Sequence, residues 1–546
     1  MTRETAGLVA VLALLTIGGF LFFPGHTFLQ ADTQIYVPIL ERIWDPTVLG
    51  QDPVATRPHV SYTIYDETAL LLRRLTGQPF QFGLHLQQIL YRGLGLWGMF
   101  LIGRALGLSW RLALILTAVF GLGATVNGPA ILTFEYEPTP RSFSVPLVVL
   151  AIGLVAHARW VAAGVACGVA YLYHPPTTVP FLAMLSLHTV WRRQWRAWPP
   201  ILAALLLGWV VSRFQLGESE PQRFFTTIDP TLETMQRLRG AYNWVSLWPV
   251  QFIRHYQFLL LVCLAGFFRL RARMPESLQL FFFFLPLYGI LSVGASWFLL
   301  EGMKWAFIPQ FQPARGVLWV SVVAIVVSTT AGLYAARDRR WAEALLWLTL
   351  VFCIPQQADV LQLVFPDVRD PQQLTRFLIA VALAGCAAAA ARWNSVVAWA
   401  AVLFLPFYLI PQVGQVQNYP PLHHPEVYEL ADWARANTQK DDLFVFPDAG
   451  RELYPGLFRV YALRPLYVDW KGGGQVNLLR EFAYQWWDRW QKAGGEIYDA
   501  SKLPRLRSYG IQYVVLKQAH RVPGQTPIHE NPKYLVYRTW DSTGHE

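Results

Sequence analysis

The sequence predicts a polytopic α-helical membrane protein of about thirteen transmembrane helices, followed by a C-terminal extracytoplasmic α/β domain. Three observations predict it. The 546 residues are 54% hydrophobic and 15% aromatic but only 15% charged, where soluble chains carry about a quarter charged residues. Apolar runs recur along most of the chain. Arginines gather in alternate connections between those runs. A mean hydropathy of +0.30 is moderate for a membrane protein, so sizeable polar regions must accompany the spans.

The spans are read near 6–23, 84–103, 111–127, 143–157, 160–173, 176–190, 199–213, 254–270, 278–298, 316–336, 342–355, 374–391 and 395–411. The first resembles a secretory signal. However, its apolar stretch is long, and Pro24-Gly25-His26 is not a small-residue cleavage site, so it reads as a retained span. With the N-terminus inside, the inside loops hold Arg104 and Arg111, Arg159, the cluster Arg192, Arg193 and Arg196, then Arg269, Arg271 and Arg273, then Arg337, Arg339 and Arg340, and Arg392. The short outside loops hold far fewer, namely Arg141, Lys304, Arg315 and Arg369. This is the positive-inside pattern, and it places the C-terminus outside. The net charge of +10 therefore reflects cytoplasmic arginine, and no basic, aromatic-interleaved stretch suggests nucleic-acid binding.

Loop sizes carry the next inference. Inside loops are no longer than about ten residues, whereas three outside segments are long: 24–83, 214–253 and the tail from 412 to 546. No P-loop or dinucleotide fingerprint occurs on the inner side. That argues against an ATP-driven pump and against use of cytoplasmic nucleotide-sugars. The domain boundary is placed after residue 411, so that 1–411 forms the membrane domain and 412–546 the extracytoplasmic one.

The tail opens at the proline-rich "QNYPPLHHPE". A helix, "PEVYELADWARANT", precedes strands at "DLFVFPD" and "RPLYVDW". "KGGG" opens a long helix, "QVNLLREFAYQWWDRWQKAGG", and strands follow at "IQYVVLK" and "KYLVYRTW". "WWDRW" reads as an aromatic core stripe. Cys167, Cys263, Cys353 and Cys386 all lie in apolar runs without CxxC spacing, so they read as buried thiols.

Candidate functional residues cluster at the outer boundary. Asp32 follows the first span and heads an amphipathic segment with Ile35, Tyr36, Ile39, Leu40 and Ile43 on one face. Its carboxylate suits either a general base or a helix cap. In "TFEYEPTPRSF", Glu135 and Glu137 are two apart and point the same way in extended chain, an arrangement able to hold a divalent metal. Arg141 follows, able to meet a phosphate or to pair with one of the glutamates. Lys304, Arg315 and, at the head of the second span, Arg92 are charges whose position in a bilayer demands a partner or a route to the headgroups. Asp66-Glu67 and the basic end of "IYDETALLLRRL" suit a helix dipole. His174 in "YHPPTT" reads as structural, and Asp52 as a turn residue.

Taken together, a long first outside loop with an early acidic residue, an acidic second loop, a charged loop before the tenth span and an outside α/β tail resemble the GT-C superfamily of glycosyltransferases. The branch is the bacterial one that uses polyprenyl-phosphate sugars. "ELADWARANTQKDDLFVFPD" and "RPLYVDWKGG" resemble the tails of such bacterial membrane proteins. The resemblance implies transfer of a sugar from a polyprenyl-phosphate donor to a glycan, lipid or protein acceptor on the outer face of the inner membrane, with inversion. It implies Asp32 as base, Arg315, Arg92, Arg141 and Lys304 as substrate contacts, and Glu135 and Glu137 as ligands for Mg or Mn. The glutamates stand where the family often has aspartate. The alternative is a non-catalytic transporter or scaffold for envelope polysaccharide export. Against transport, no inverted repeat or matched pair of broken spans is found.

Overall fold

The computed structural model describes residues 3–57, 59–60, 63–215, 225–354, 373–414, 418–419 and 421–539. Arg369 lies outside the described residues. The chain forms two compact units, each assembled from separated stretches.

Unit 1 comprises Met1–His26, Leu84–Val210 and Ala241–Asn418. Each apolar segment read as a span coincides with a helix, from Arg3–Leu21 to Val396–Gly414. Among the described residues, four helical stretches are long and apolar enough to cross a membrane: Val250–Arg273, Glu276–Gly302, Ile308–Arg337 and Leu374–Trp393. Six more apolar helices are 10–17 residues long. Within the Ile308–Arg337 stretch every residue from Leu318 to Ala336 is buried, because apolar and small residues line every side of the helix and its neighbours enclose it. Such all-round hydrophobicity marks the centre of a bundle.

Small residues set the close contacts in this unit. A Cβ at Gly95 would stand 2.6 Å from Pro146 Cβ, so the Phe80–Ala105 and Pro140–Ala156 helices approach backbone to backbone. A two-residue antiparallel hairpin, Thr125–Val126 with Ile131–Leu132, then delivers the "FEYEP" loop to the start of the second of these helices. The four cysteines are free; Cys167, Cys263 and Cys353 are buried and Cys386 partly so.

Unit 2 comprises Thr27–Gly83, Val211–Gly240 and Tyr419–Glu546. Its four-stranded mixed sheet runs in the order Phe444–Val445, Tyr513–Lys517, Tyr534–Arg538, His529–Glu530, with only the first pair parallel. "RPLYVDW" is not a strand; it makes a single bridge, Leu466 to Phe444. Pro465 has no N–H to give, and four residues later Asp469 is buried. "KGGG" leads into a 3-10 turn, Gly472–Asn477, and the long helix starts only at Arg480 and ends at Ala493. A Cβ at Gly473 would lie 2.5 Å from Trp486, so the glycines serve tight packing. Trp486 and Trp490 stack with centroids 5.5 Å apart, forming the aromatic stripe.

The amphipathic Thr33–Trp44 helix does not rest its apolar face on a bilayer. Ile35, Val37, Ile39 and Leu40 are buried within unit 2, where the helix packs on Tyr454–Ala462. That second helix was not among the elements expected from the sequence. Pro455 falls in the helix's first turn, where its missing N–H costs nothing. Gly456 is required by the close approach of Gln34.

Candidate functional site

In unit 1 the structure brings together Arg141 and Arg315, two of the cations that the sequence singles out. They line one narrow cleft with His174, Thr177, Tyr288 and Gln312. Arg315 sits in a 3-10 turn, Pro313–Val317, at the head of the Leu318–Arg337 helix. The turn is held close to its neighbour: a Cβ at Gly289 would stand 2.8 Å from the Gly316 carbonyl oxygen. His174 precedes two prolines that open the Pro175–Arg192 helix, and its Nδ1 lies 2.7 Å from Thr177 Oγ1. The cleft is small, about 20 Å³, and of the side chains that line it the two arginines are the ones suited to an anion such as phosphate.

Glu135 fixes Arg141. The Arg141 Nε donates to Glu135 Oε1 at 2.7 Å, and both side chains are only 9% exposed. Leu132 N–H donates to the same oxygen at 3.1 Å. Glu137 is also buried. This arrangement does not fit Mg or Mn at Glu135 and Glu137, because the Glu135 carboxylate already faces a cation and a backbone donor.

Arg92 faces inward. Its guanidinium donates to the carbonyls of Gly19 (3.3 Å), Gly25 (2.7 Å) and Glu135 (2.6 Å), and it is 4% exposed. It ties the end of the first helix to the glutamate loop. Lys304 is likewise outside the cleft, with its Nζ 5.4 Å from the centroid of the buried Trp244 ring. Glu301 accepts from Ser246 N–H at 2.9 Å. These contacts brace the 241–248 loop.

In unit 2, Asp32 begins the Thr33–Trp44 helix but makes no side-chain cap. Its Oδ1 accepts from Lys471 Nζ at 2.7 Å; the carboxylate side chain is 33% exposed and that of the lysine 15%. The capping role open to Asp32 is therefore replaced by an ion pair at a water-accessible position. Lys471 belongs to "YVDWKGG", which organises the unit. Asp469 pairs with Arg459, and Trp470 lies under Arg239, 3.7 Å from the ring centroid.

Arg459 is fully buried between Asp52 and Asp469. Its Nε donates to Asp52 Oδ2 at 2.7 Å. Asp52 also accepts from the N–H groups of Val54, Ala55 and Leu466, at 2.9, 3.0 and 2.9 Å. Burial opposes the charge on Arg459, but the two aspartates outweigh it and hold its pKa above the ordinary value.

Sequence reasoning missed the part Lys471 plays and gave His174 only a turn role. The lysine is visible in "DWKGGG", but its partner is 439 positions away. For His174, the only signal was its place before a double proline at the outer end of a predicted span.

A model of a domain of unknown function, DUF6798, matches residues 425–493, the stretch containing Arg459, Asp469 and Lys471. No curated protein sequence matches the chain. Among solved structures, the chain is similar to apo ArnT from Cupriavidus metallidurans, with a TM-score of 0.51, 13% identity and coverage of 99% of each chain. It is also similar to the same protein bound to undecaprenyl phosphate, with a TM-score of 0.52 and 13% identity over 98% of this chain and 99% of that one. The chain thus shares its fold with ArnT along nearly its whole length.

Proposed function

We propose that this protein is a membrane glycosyltransferase that takes a sugar from a polyprenyl-phosphate donor and passes it to an acceptor on the outer face of the bacterial inner membrane. The observation that carries the reading is the unit 1 cleft, where Arg141 and Arg315 converge with His174. The fold supports it, since one similar structure holds undecaprenyl phosphate. The N-terminus inside, the polar unit outside and about thirteen spans belong to the same proposal.

The chemistry follows from the residues. Attack of an acceptor hydroxyl at the sugar carbon breaks the bond to the phosphate oxygen, and a single displacement inverts that carbon. The role of base for the acceptor proton falls to a carboxylate within reach of water, and the sequence assigns it to Asp32, which pairs with Lys471. Arg141 and Arg315 stabilise the charge developing on the departing phosphate. Glu135 holds Arg141 in place, so the positive charge is preorganised. Arg92 and Lys304 support the surrounding backbone and aromatic loop. No step requires a metal at Glu135 and Glu137.

Full-length protein in lipid nanodiscs, offered a panel of radiolabelled polyprenyl-phosphate sugars with membrane glycolipid acceptors, should transfer label from at least one donor. Absence of transfer from every donor, together with unchanged binding of undecaprenyl phosphate in Arg141→Ala and Arg315→Ala, would overturn the reading in favour of an export scaffold.

A further inference from the structure

We propose that unit 1 carries a binding site for an anionic glycerophospholipid, separate from the cleft of Arg141 and Arg315. The site is a groove of about 710 Å³ between three helices, Phe80–Ala105, Pro140–Ala156 and Trp160–Tyr173. It shares no lining residue with that cleft.

Helical spacing builds the groove. Leu147, Leu150 and Leu154 fall on one face of the middle helix, three and four positions apart. All three are buried, so they form the floor. A Cβ at Gly98 would collide with the Leu150 backbone, so the first helix closes tightly onto that floor. The walls are more open, with Trp97 on one side and Val165 on the other, both exposed. From Tyr91 to Leu101 the groove follows about three turns of helix, roughly 15 Å at 1.5 Å per residue. That is half of the hydrocarbon core of about 30 Å, the depth of one lipid leaflet. Tyr91 ends the groove at that depth, where its hydroxyl donates to Tyr173 Oη at 3.0 Å.

The opposite end is polar and carries one sign of charge. His157 and Arg159 lie there, in the turn between the second and third helices. His157 Nε2 is 2.9 Å from the Leu101 carbonyl oxygen, which fixes the ring at the groove's mouth. Arg159 is exposed, and its guanidinium makes no hydrogen bond or ion pair among the described residues. No carboxylate lines the groove among the described residues. An apolar channel one leaflet deep, with an unmatched guanidinium at its mouth, is complementary to a fatty-acyl chain joined to a phosphate headgroup. A zwitterionic headgroup would bring its own cation beside Arg159, so a net anionic one is favoured. Arg159 also stands in an inside loop of the charge pattern. The occupant therefore belongs to the inner leaflet, and the polyprenyl donor of the outer face is a different lipid.

The test is photolabelling of the full-length protein in phosphatidylcholine nanodiscs that contain a phosphatidylglycerol with a diazirine on its acyl chain. Mass spectrometry locates the labelled residues. Wild type should be labelled within residues 147–169, and the matched diazirine phosphatidylcholine should label that stretch about fivefold less. Arg159→Gln should lower phosphatidylglycerol labelling there about fivefold. Val165→Trp, which fills the groove, should lower labelling at Leu150 and Leu154. Both substituted positions are exposed, and an unchanged gel-filtration profile and thermal midpoint establish that each variant is folded. Equal labelling by the two lipids would overturn the proposal, and so would labelling that folded Arg159→Gln or Val165→Trp leaves unchanged. Stronger competition by undecaprenyl phosphate than by unlabelled phosphatidylglycerol would also overturn it, and would assign the groove to the donor's chain.

Discussion

Unit 2 contains two carboxylate–cation assemblies that differ mainly in their access to water. At Asp52–Arg459–Asp469 the side chains are 0%, 0% and 3% exposed. At Asp32–Lys471 they are 33% and 15% exposed. The buried assembly sets one guanidinium between two carboxylates, and backbone donors complete the coordination of Asp52. It joins the first loop to the tail. Such a group is costly to break and has no route by which to exchange partners, so it stabilises the fold. The open pair gains little stability, because water competes for both charges. Its carboxylate, however, can take up a proton or release a lysine contact when another molecule arrives. Under the proposed function, similar chemistry serves architecture in one place and reactivity in the other, and solvent access is the difference between them.

The comparison is broken most severely by removing Arg459. Arg459→Met leaves two buried aspartates without a cation and should destabilise unit 2 by about 3–5 kcal/mol, read as a lowered thermal midpoint and faster proteolysis of the 421–539 region. Equal stability of variant and wild type would show that the triad is not structural. Next comes Arg315 in unit 1. If Arg315 meets the leaving phosphate as proposed, Arg315→Ala should lower kcat/KM for the lipid donor about 10–100-fold, with thermal stability nearly unchanged. Arg315→Lys should recover only part of this, since an ammonium cannot match the guanidinium fork.

Acid should act more gently. Burial lowers the pKa of His423 and of His424, so the folded chain keeps both neutral where the unfolded chain would charge them. Stability is fully present above the unfolded value of about 6.5 and falls as pH drops through the lower folded values. A thermal midpoint that stayed flat across that range would contradict this. The smallest effect belongs to a half-buried pair within one helix. Arg237 and Glu233, 2.9 Å apart on one helix face, should contribute about 0.3–0.5 kcal/mol, so Glu233→Gln should barely move the midpoint.

The bundle was legible because burial in lipid or in a helical core imposes long apolar runs, and each run found a helix. The Thr33–Trp44 helix was legible too, from its face of Ile35, Ile39 and Leu40. What covers that face was not legible, because periodicity shows that a side is apolar but not what buries it. The same limit hid the candidate sites. Glu135 and Arg141 are six positions apart, and their pairing was among the readings open from sequence. Asp52 and Arg459 are 407 apart, and nothing local marks either as a core residue. Asp66-Glu67 fitted a helix dipole so well that the contact of Asp66 with His59, seven positions upstream, was not foreseen. "RPLYVDW" has strand composition, but the demand of Arg459 for Asp469 outweighs it.

The most direct test of the account is sugar transfer by Asp32→Asn, measured beside its thermal midpoint in the same nanodiscs. The account predicts a midpoint close to wild type and transfer lowered by at least about a hundredfold, since the open pair does chemistry rather than hold the fold. Transfer at the wild-type rate would contradict it, and so would a variant that unfolds as Arg459→Met is expected to, since either outcome would place Asp32 among the structural charges.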